Sequence, residues 1–272
     1  MRRLATFVLS TFFVLIFLPQ LWAQGVRKPR FDTGLNLSAE AAAERWAQFA
    51  NGRLAGDYCM AFVLEHRPRR AEETRYTGYM IGGERPDGTY TRIHIRRADA
   101  PAESADFIFR NAAGSSAVWK FDGKKFAALP EALWRKPMLS GLVYSPFELL
   151  MPFKFWNVQY EGSGRAGQPV HFYELSSPKF AGVSVRVALT RDFNAPAQIS
   201  VSDGASSKTA RLSSVKKIDG VWVMREISVK DETSRDSDLL RFTAAKFGLK
   251  WGMAPFLPDS PADLEIPALD RL

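Results

Sequence analysis

The residues best equipped for chemistry are the three histidines His66, His94 and His171 and the single cysteine, Cys59. Histidine supplies a general base or a metal ligand near neutral pH, and cysteine a nucleophile or a soft ligand. The histidines are far apart, and none has a second ligand at the short spacing that metal sites use. A lone cysteine excludes an internal disulfide and a multi-cysteine zinc site. Cys59 sits in the strand-like run Asp57-Tyr58-Cys59-Met60-Ala61-Phe62-Val63-Leu64, which suits a buried, inert thiol. There is no G-x-S-x-G elbow to mount a serine nucleophile. Gly162-x-Gly164-x-x-Gly167 matches a dinucleotide fingerprint by letters only, since it precedes a strand instead of opening a helix. The stretch Glu161 to Gly167 reads as a glycine turn. Glu72-Glu73 and Asp231-Glu232 stand in turn-like surroundings and read as solvated acids. A hydrolase would need a serine or an acid brought beside a histidine in space, and nothing in the sequence points to one. The expectation is a protein that is not an enzyme and uses no cofactor and no metal.

Two basic runs, Arg67-Pro68-Arg69-Arg70 and Arg96-Arg97, raise the question of an anionic partner. No stacking aromatics are interleaved with them, so nucleic acid is not expected. They read as solvated loops, with contact to an envelope membrane surface or another anionic partner as the alternative.

What must be positioned is therefore apolar. The chain has 272 residues, 46% hydrophobic and 24% charged, with 20 phenylalanines and a formal charge of +8. That composition excludes a disordered chain and a disulfide-stapled miniprotein, and it suits a sizeable core. Part of the apolar content belongs to Met1 to Ala23. Arg2 and Arg3 precede an apolar run, Leu4 to Leu18, followed by Pro19 and by Ala23 at a small-residue site. This is the layout of a cleaved secretory signal. A membrane span needs about 20 apolar residues, more than this run offers. Removal of Arg2 and Arg3 with the segment lowers the formal charge from +8 to +6, and export places the protein in the periplasm. No cysteine lies at the cleavage site to make the chain a lipoprotein.

After a basic linker, Val26 to Phe31, a helix is expected with Ser38 as N-cap and Glu40 in its first turn. Ala42, Trp46, Phe49 and Ala50 form its apolar stripe, and Asn51-Gly52 ends it. From Gly56 the period changes to two, with Tyr58, Met60, Phe62 and Leu64 on one face. About a dozen strands follow, joined by turns such as Pro86-Asp87-Gly88, Asp122-Gly123, Asp203-Gly204 and Asp219-Gly220. Strands and helices do not alternate. The pattern argues a mainly β fold, an antiparallel meander curled into a barrel or half-barrel, as a single domain over 24–254. A proline-bearing tail, 255–272, is expected to run extended over the surface.

One segment departs from the meander. Pro137 to Trp156 is rich in apolar residues, and Ser145-Pro146-Phe147-Glu148 is a capping box with proline at the first helical position. Pro152 stops that helix after one or two turns. Leu133 and Trp134 lie in a short helical stretch upstream. Such an insertion either fills the barrel as ordinary core or forms the lid or wall of an apolar cavity.

From Trp119 to Phe256 the chain resembles the LolA-like, outer-membrane lipoprotein-sorting proteins of the bacterial periplasm. The resemblance is carried by Ser145-Pro146-Phe147-Glu148-Leu149-Leu150-Met151-Pro152-Phe153 with Trp156, by the hairpin Lys217 to Val229 with Trp222 opening its second strand, and by Leu239 to Phe247. It implies an antiparallel half-barrel whose concave face is covered by short helices and encloses an apolar cavity. It also implies lipidated-protein or lipid cargo, outer-membrane sorting and a monomeric carrier. Trp134, Leu142, Phe147, Leu150, Phe153 and Trp156 are the expected cavity or lid residues. The cavity arginine that carriers of this kind use to hold the lid has no counterpart at a matching motif. The alternative is an envelope sensor or protein-binding module whose cavity is filled by its own side chains.

Overall fold

A computed structural model of the chain describes residues 36–52, 56–192, 195–218, 221–261 and 264–272. The expected signal segment, the basic linker and the Asp219-Gly220 turn lie outside the described residues.

The first element is helix α1, Ala39–Asn51, whose N-terminus is capped by Ser38 Oγ accepting from the Ala41 N–H at 3.2 Å. Its buried residues are Ala42, Trp46, Phe49 and Ala50, the stripe read from the sequence. The strands follow in order: β1 Asp57–Arg67, β2 Thr74–Arg85, β3 Gly88–Arg97, β4 Ser104–Asn111, β5 Ala117–Phe121 and β6 Phe126–Ala128. After the helical insertion come β7 Asn157–Ala166, β8 Gln168–Ser176, β9 Ser184–Thr190, β10 Pro196–Ser202, β11 Ser207–Ile218, β12 Val221–Asp231 and β13 Ser237–Leu249. A two-residue strand, β14, Asp270–Arg271, closes the chain.

All 14 strands belong to one antiparallel sheet, ordered β6-β5-β4-β3-β2-β1-β13-β12-β11-β10-β9-β8-β7 with β14 beside β13. The long-range pairing of β1 with β13, from Asp57↔Leu249 to Arg67↔Ser237, joins the two halves. The sheet does not close, because β6 and β7 remain at opposite edges. This is the half-barrel that the strand pattern argued.

Strand alternation divides the apolar residues between two faces. The inner face carries Met60, Phe62, Leu64, Ile93, Ile95, Phe107, Val185 and Val187, in one core with α1 and the insertion. Each such side chain contributes about 1.5–3 kcal/mol when fully buried. The outer face of the N-terminal half carries Cys59, Ile81, Tyr90, Ile108 and Phe126. The C-terminal tail covers them with Trp251, Met253, Phe256, Leu264, Ile266 and Leu269. Arg92 lies fully buried beneath the tail, donating to the carbonyls of Pro255 at 3.2 Å and Pro261 at 2.7 Å, over the ring of Phe126.

The expected glycine turn from Glu161 to Gly167 is instead mostly strand. β7 runs on to Ala166, and only Gly167, at φ 77°, turns the chain. A bulge between Tyr160 and Gly162 absorbs the irregularity, since Gly162 takes φ 125° at no steric cost. The ladder then resumes with Ser163 opposite His171.

Candidate functional site

The strand order dictates what residues 129–156 must do. β6 and β7 are consecutive in sequence and lie at opposite edges of the sheet. The connecting segment therefore has to cross the half-barrel from rim to rim. Its apolar content matches that path, because the face it crosses is the inner core.

The crossing is built from short, punctuated pieces: a 3-10 turn at Glu131–Leu133, helix α2 at Pro146–Leu150 and a second 3-10 turn at Pro152–Phe155. Glu148 Oε2 accepts from the Ser145 N–H at 2.8 Å, the carboxylate half of the capping box, and from the Ser145 hydroxyl as well. Met151, at φ 49°, ends α2 in the left-handed conformation before Pro152.

Of the six sequence-expected residues, Trp134, Leu142, Phe147, Leu150 and Phe153 are buried in the inner core, and Trp156 is half-buried against it. Phe147 meets Phe153 at 6.0 Å and Trp156 at 5.9 Å between ring centroids. Sequence reasoning missed the residue that joins these rings, Phe180, in the turn Pro178–Phe180 between β8 and β9. Phe180 stacks on Trp156 at 5.0 Å and touches both Phe147 and Trp134. An aromatic flanked by prolyl turn residues gave no periodic signal, so only the fold brings it here.

One gap beneath the insertion is small. Glu148 and Phe153 from the insertion, with Ile199, Val201, Lys208, Ala210 and Val229 from the sheet, line a cavity of about 20 Å³. A water needs about 10–15 Å³, so this gap has room for a single water and none for an acyl chain. The insertion is seated.

Polar contacts fasten it. Asp238 of β13 is fully buried, and its Oδ2 accepts from the backbone N–H of Val143 at 2.8 Å and of Tyr144 at 2.7 Å. Its Oδ1 lies 2.7 Å from His66 Nδ1 on β1. Lys208 Nζ donates to the Val143 carbonyl at 2.8 Å and lies 3.4 Å from Glu148. Asn111 Nδ2 donates to the Leu150 carbonyl at 2.6 Å. Three sheet strands, β4, β11 and β13, thus hold the insertion through its backbone. The signal for Asp238 was available: it shares the inner face of β13 with Leu240 and Phe242, where a carboxylate demands partners.

One group is left over. The buried Tyr144 hydroxyl has no hydrogen-bond partner among the described residues. Burial pushes its pKa well up, and the nearby carboxylates of Asp238 and Glu148 push it further. An unmatched buried hydroxyl costs about 1–3 kcal/mol, so the seated insertion is not fully satisfied.

The structure does bring a serine beside a histidine, an approach that no motif announced. Ser163 Oγ lies 3.2 Å and the Tyr160 hydroxyl 3.0 Å from His171 Nδ1. Burial, with Arg45 and Arg191 nearby, lowers the His171 pKa to about 4. A general base works best with a pKa near the operating pH, so this imidazole is a weak one. The cluster instead holds the approach to α1: Leu37 N–H donates to the Tyr160 hydroxyl, and Ser163 N–H to Asn36 Oδ1. Among the described residues, no group of three His, Cys, Asp or Glu side chains could hold a metal ion. No described helix is long and apolar enough to cross a membrane.

One arginine in each basic run is paired, and Arg69, Arg70 and Arg96 are exposed. Arg67 pairs with Glu65 at 2.8 Å and Glu73 at 3.3 Å, and Arg97 with Asp99 at 2.8 Å and Glu103 at 3.3 Å.

No family model and no curated protein matches the sequence. Solved structures do match the fold. A DUF1329 family protein from Desulfovibrio piger superposes with a TM-score of 0.68 at 12% identity, over 80% of this chain and 96% of that one. A putative outer membrane lipoprotein-sorting protein domain from Vibrio parahaemolyticus gives 0.64 at 14% identity, over 80% and 94%. A LolA superfamily protein from Nitrosomonas europaea gives 0.60 at 11% identity, over 82% and 99%. At these identities the likeness shows a shared fold, the one that the sequence resemblance implied.

Proposed function

We propose that this LolA-like half-barrel is a periplasmic carrier that shelters acyl chains, of lipoproteins or of lipids, between its sheet and the insertion over residues 129–156. The observation that supports this most is the rim-to-rim crossing of the inner face by a short-helix segment fastened through a few side chains. Such a segment lifts without unpairing any strand. The aromatic cluster of Trp134, Phe147, Phe153, Trp156 and Phe180 then faces a cleft instead of the sheet. Each methylene transferred from water to that lining contributes about 0.8 kcal/mol, so even a partial acyl chain offsets the loss of the latch contacts. The lipoprotein-sorting description of the Vibrio parahaemolyticus domain favours the same cargo class. In this reading the insertion is a lid, seated when no cargo is present, and the protein catalyses no reaction.

The cavity of about 20 Å³ favours a second reading, in which the lid stays down and the half-barrel is a sensor or protein-binding module of the envelope. Titration with a fluorescent fatty acid separates the two. A carrier binds the probe saturably and releases it to a competing lipid, whereas a self-filled barrel binds none.

A further inference from the structure

The β11–β12 hairpin leaves the sheet. β10 pairs with β11 only over Ser207–Arg211, and β13 pairs with β12 only over Glu226–Lys230. Beyond those limits, β11 over 212–218 and β12 over 221–225 have no ladder partner but the other strand of the hairpin among the described residues. The cause lies at the C-terminus. Arg271 pairs with Ala244 and Asp270 with Ala245, so β14 sits beside β13 where the first half of β12 would otherwise lie. The result is a two-stranded ribbon about 20 Å long at ~3.3 Å per residue.

Its two faces differ. Val223 and Ile218 turn inward to the main core. On the other face, Val215 stands opposite Met224 and Lys217 opposite Trp222. Val215 is 62% and Trp222 39% exposed. Lys217 on that face is exposed, as are Lys216, opposite Val223 on the other face, and Arg225 at the bulge between Met224 and Glu226; none makes an ion pair among the described residues. That contrasts with the paired Arg67 and Arg97 of the basic runs. Free cations beside an exposed tryptophan and valine are the composition of a bilayer-interface contact: the rings settle at headgroup depth and the cations meet anionic lipid.

We infer that the ribbon 212–225 is a docking arm for an anionic phospholipid surface, with Val215 and Trp222 entering the headgroup region and Lys216, Lys217 and Arg225 supplying the attraction. This does not rest on the carrier reading, since docking needs no cavity.

Vesicle flotation of the purified protein tests it, using phosphatidylcholine alone and phosphatidylcholine with roughly a third phosphatidylglycerol. The expected result is binding to the anionic vesicles only, weakening about tenfold or more between low and roughly 0.5 M salt. The Lys216→Glu/Lys217→Glu variant is expected to lose about tenfold or more in affinity while keeping the wild-type urea midpoint and fatty-acid binding. Both positions are exposed, so the fold is not at stake. With seven tryptophans in the chain, Trp222 is isolated by difference: brominated lipid should quench the wild type more than Trp222→Phe. Equal binding to both vesicle types, unchanged binding by the charge-reversed variant, or identical quenching of Trp222→Phe would overturn the inference. A ribbon that serves a protein partner gives the last two results.

Discussion

The Asp238 carboxylate on β13 and the Tyr144 backbone N–H in the insertion meet at 2.7 Å, and this buried bond ties the rim-to-rim segment to the centre of the sheet. The same oxygen takes the Val143 N–H, and the other oxygen faces His66. A single side chain thus joins the insertion to two strands.

Removing that side chain should loosen the insertion. Asp238→Ala strands two backbone donors and the imidazole, and breaking a buried pair of this kind costs about 3–5 kcal/mol. Asp238→Asn keeps an acceptor for part of the set and should cost less, about 1–3 kcal/mol. Urea unfolding gives the ranking. If the insertion is a lid, Asp238→Asn also takes up a fluorescent fatty acid faster than wild type.

The aromatic cluster should divide by burial. Phe147 is fully buried, and truncation to alanine is expected to cost about 3–5 kcal/mol. Trp156 is half-buried, so Trp156→Ala should cost clearly less in the same denaturation series. Phe180→Ala, at the position that only the fold discloses, should weaken acyl-probe binding, because Phe180 touches three of the expected lid residues.

Acid should weaken the fold through His171. Unfolded, an imidazole takes its proton near pH 6.5; in the fold it does so only near pH 4. Between those values the unfolded state binds more protons, so stability rises with pH and is lost as pH falls through this window. Exchanging the histidine for an uncharged donor, His171→Gln, should flatten the fall in melting temperature between about pH 6.5 and about pH 4.5. An unchanged slope would assign the acid sensitivity elsewhere.

Cys59 is fully buried, and burial pushes its thiol up to about 12. The thiolate is the reactive form, so the native protein should not react with Ellman's reagent at neutral pH. Urea should release one equivalent, and the dependence of that release on denaturant should track global unfolding.

Local features were legible because local physics produces them. The Ala42, Trp46, Phe49, Ala50 stripe, the Ser38 cap and the Ser145–Glu148 capping box appear where the sequence put them. The sheet's order was not legible, since the pairing of β1 with β13 joins segments far apart in the chain and leaves no trace in periodicity. That order is what sends residues 129–156 across the inner face and gathers Phe180 with Trp156. Asp238 was half-legible: its face was readable, but its partners Val143 and Tyr144 were not. Ser163 and His171 meet only because the bulge after Tyr160 shifts the ladder.

The carrier account is tested most directly by native mass spectrometry of the protein purified without detergent. The account predicts a population heavier than the polypeptide by the mass of one lipid or lipoprotein acyl group, which exchanges for an added fatty acid. A spectrum with the bare polypeptide alone, unchanged by excess fatty acid, would contradict it and leave the self-filled barrel as the better reading.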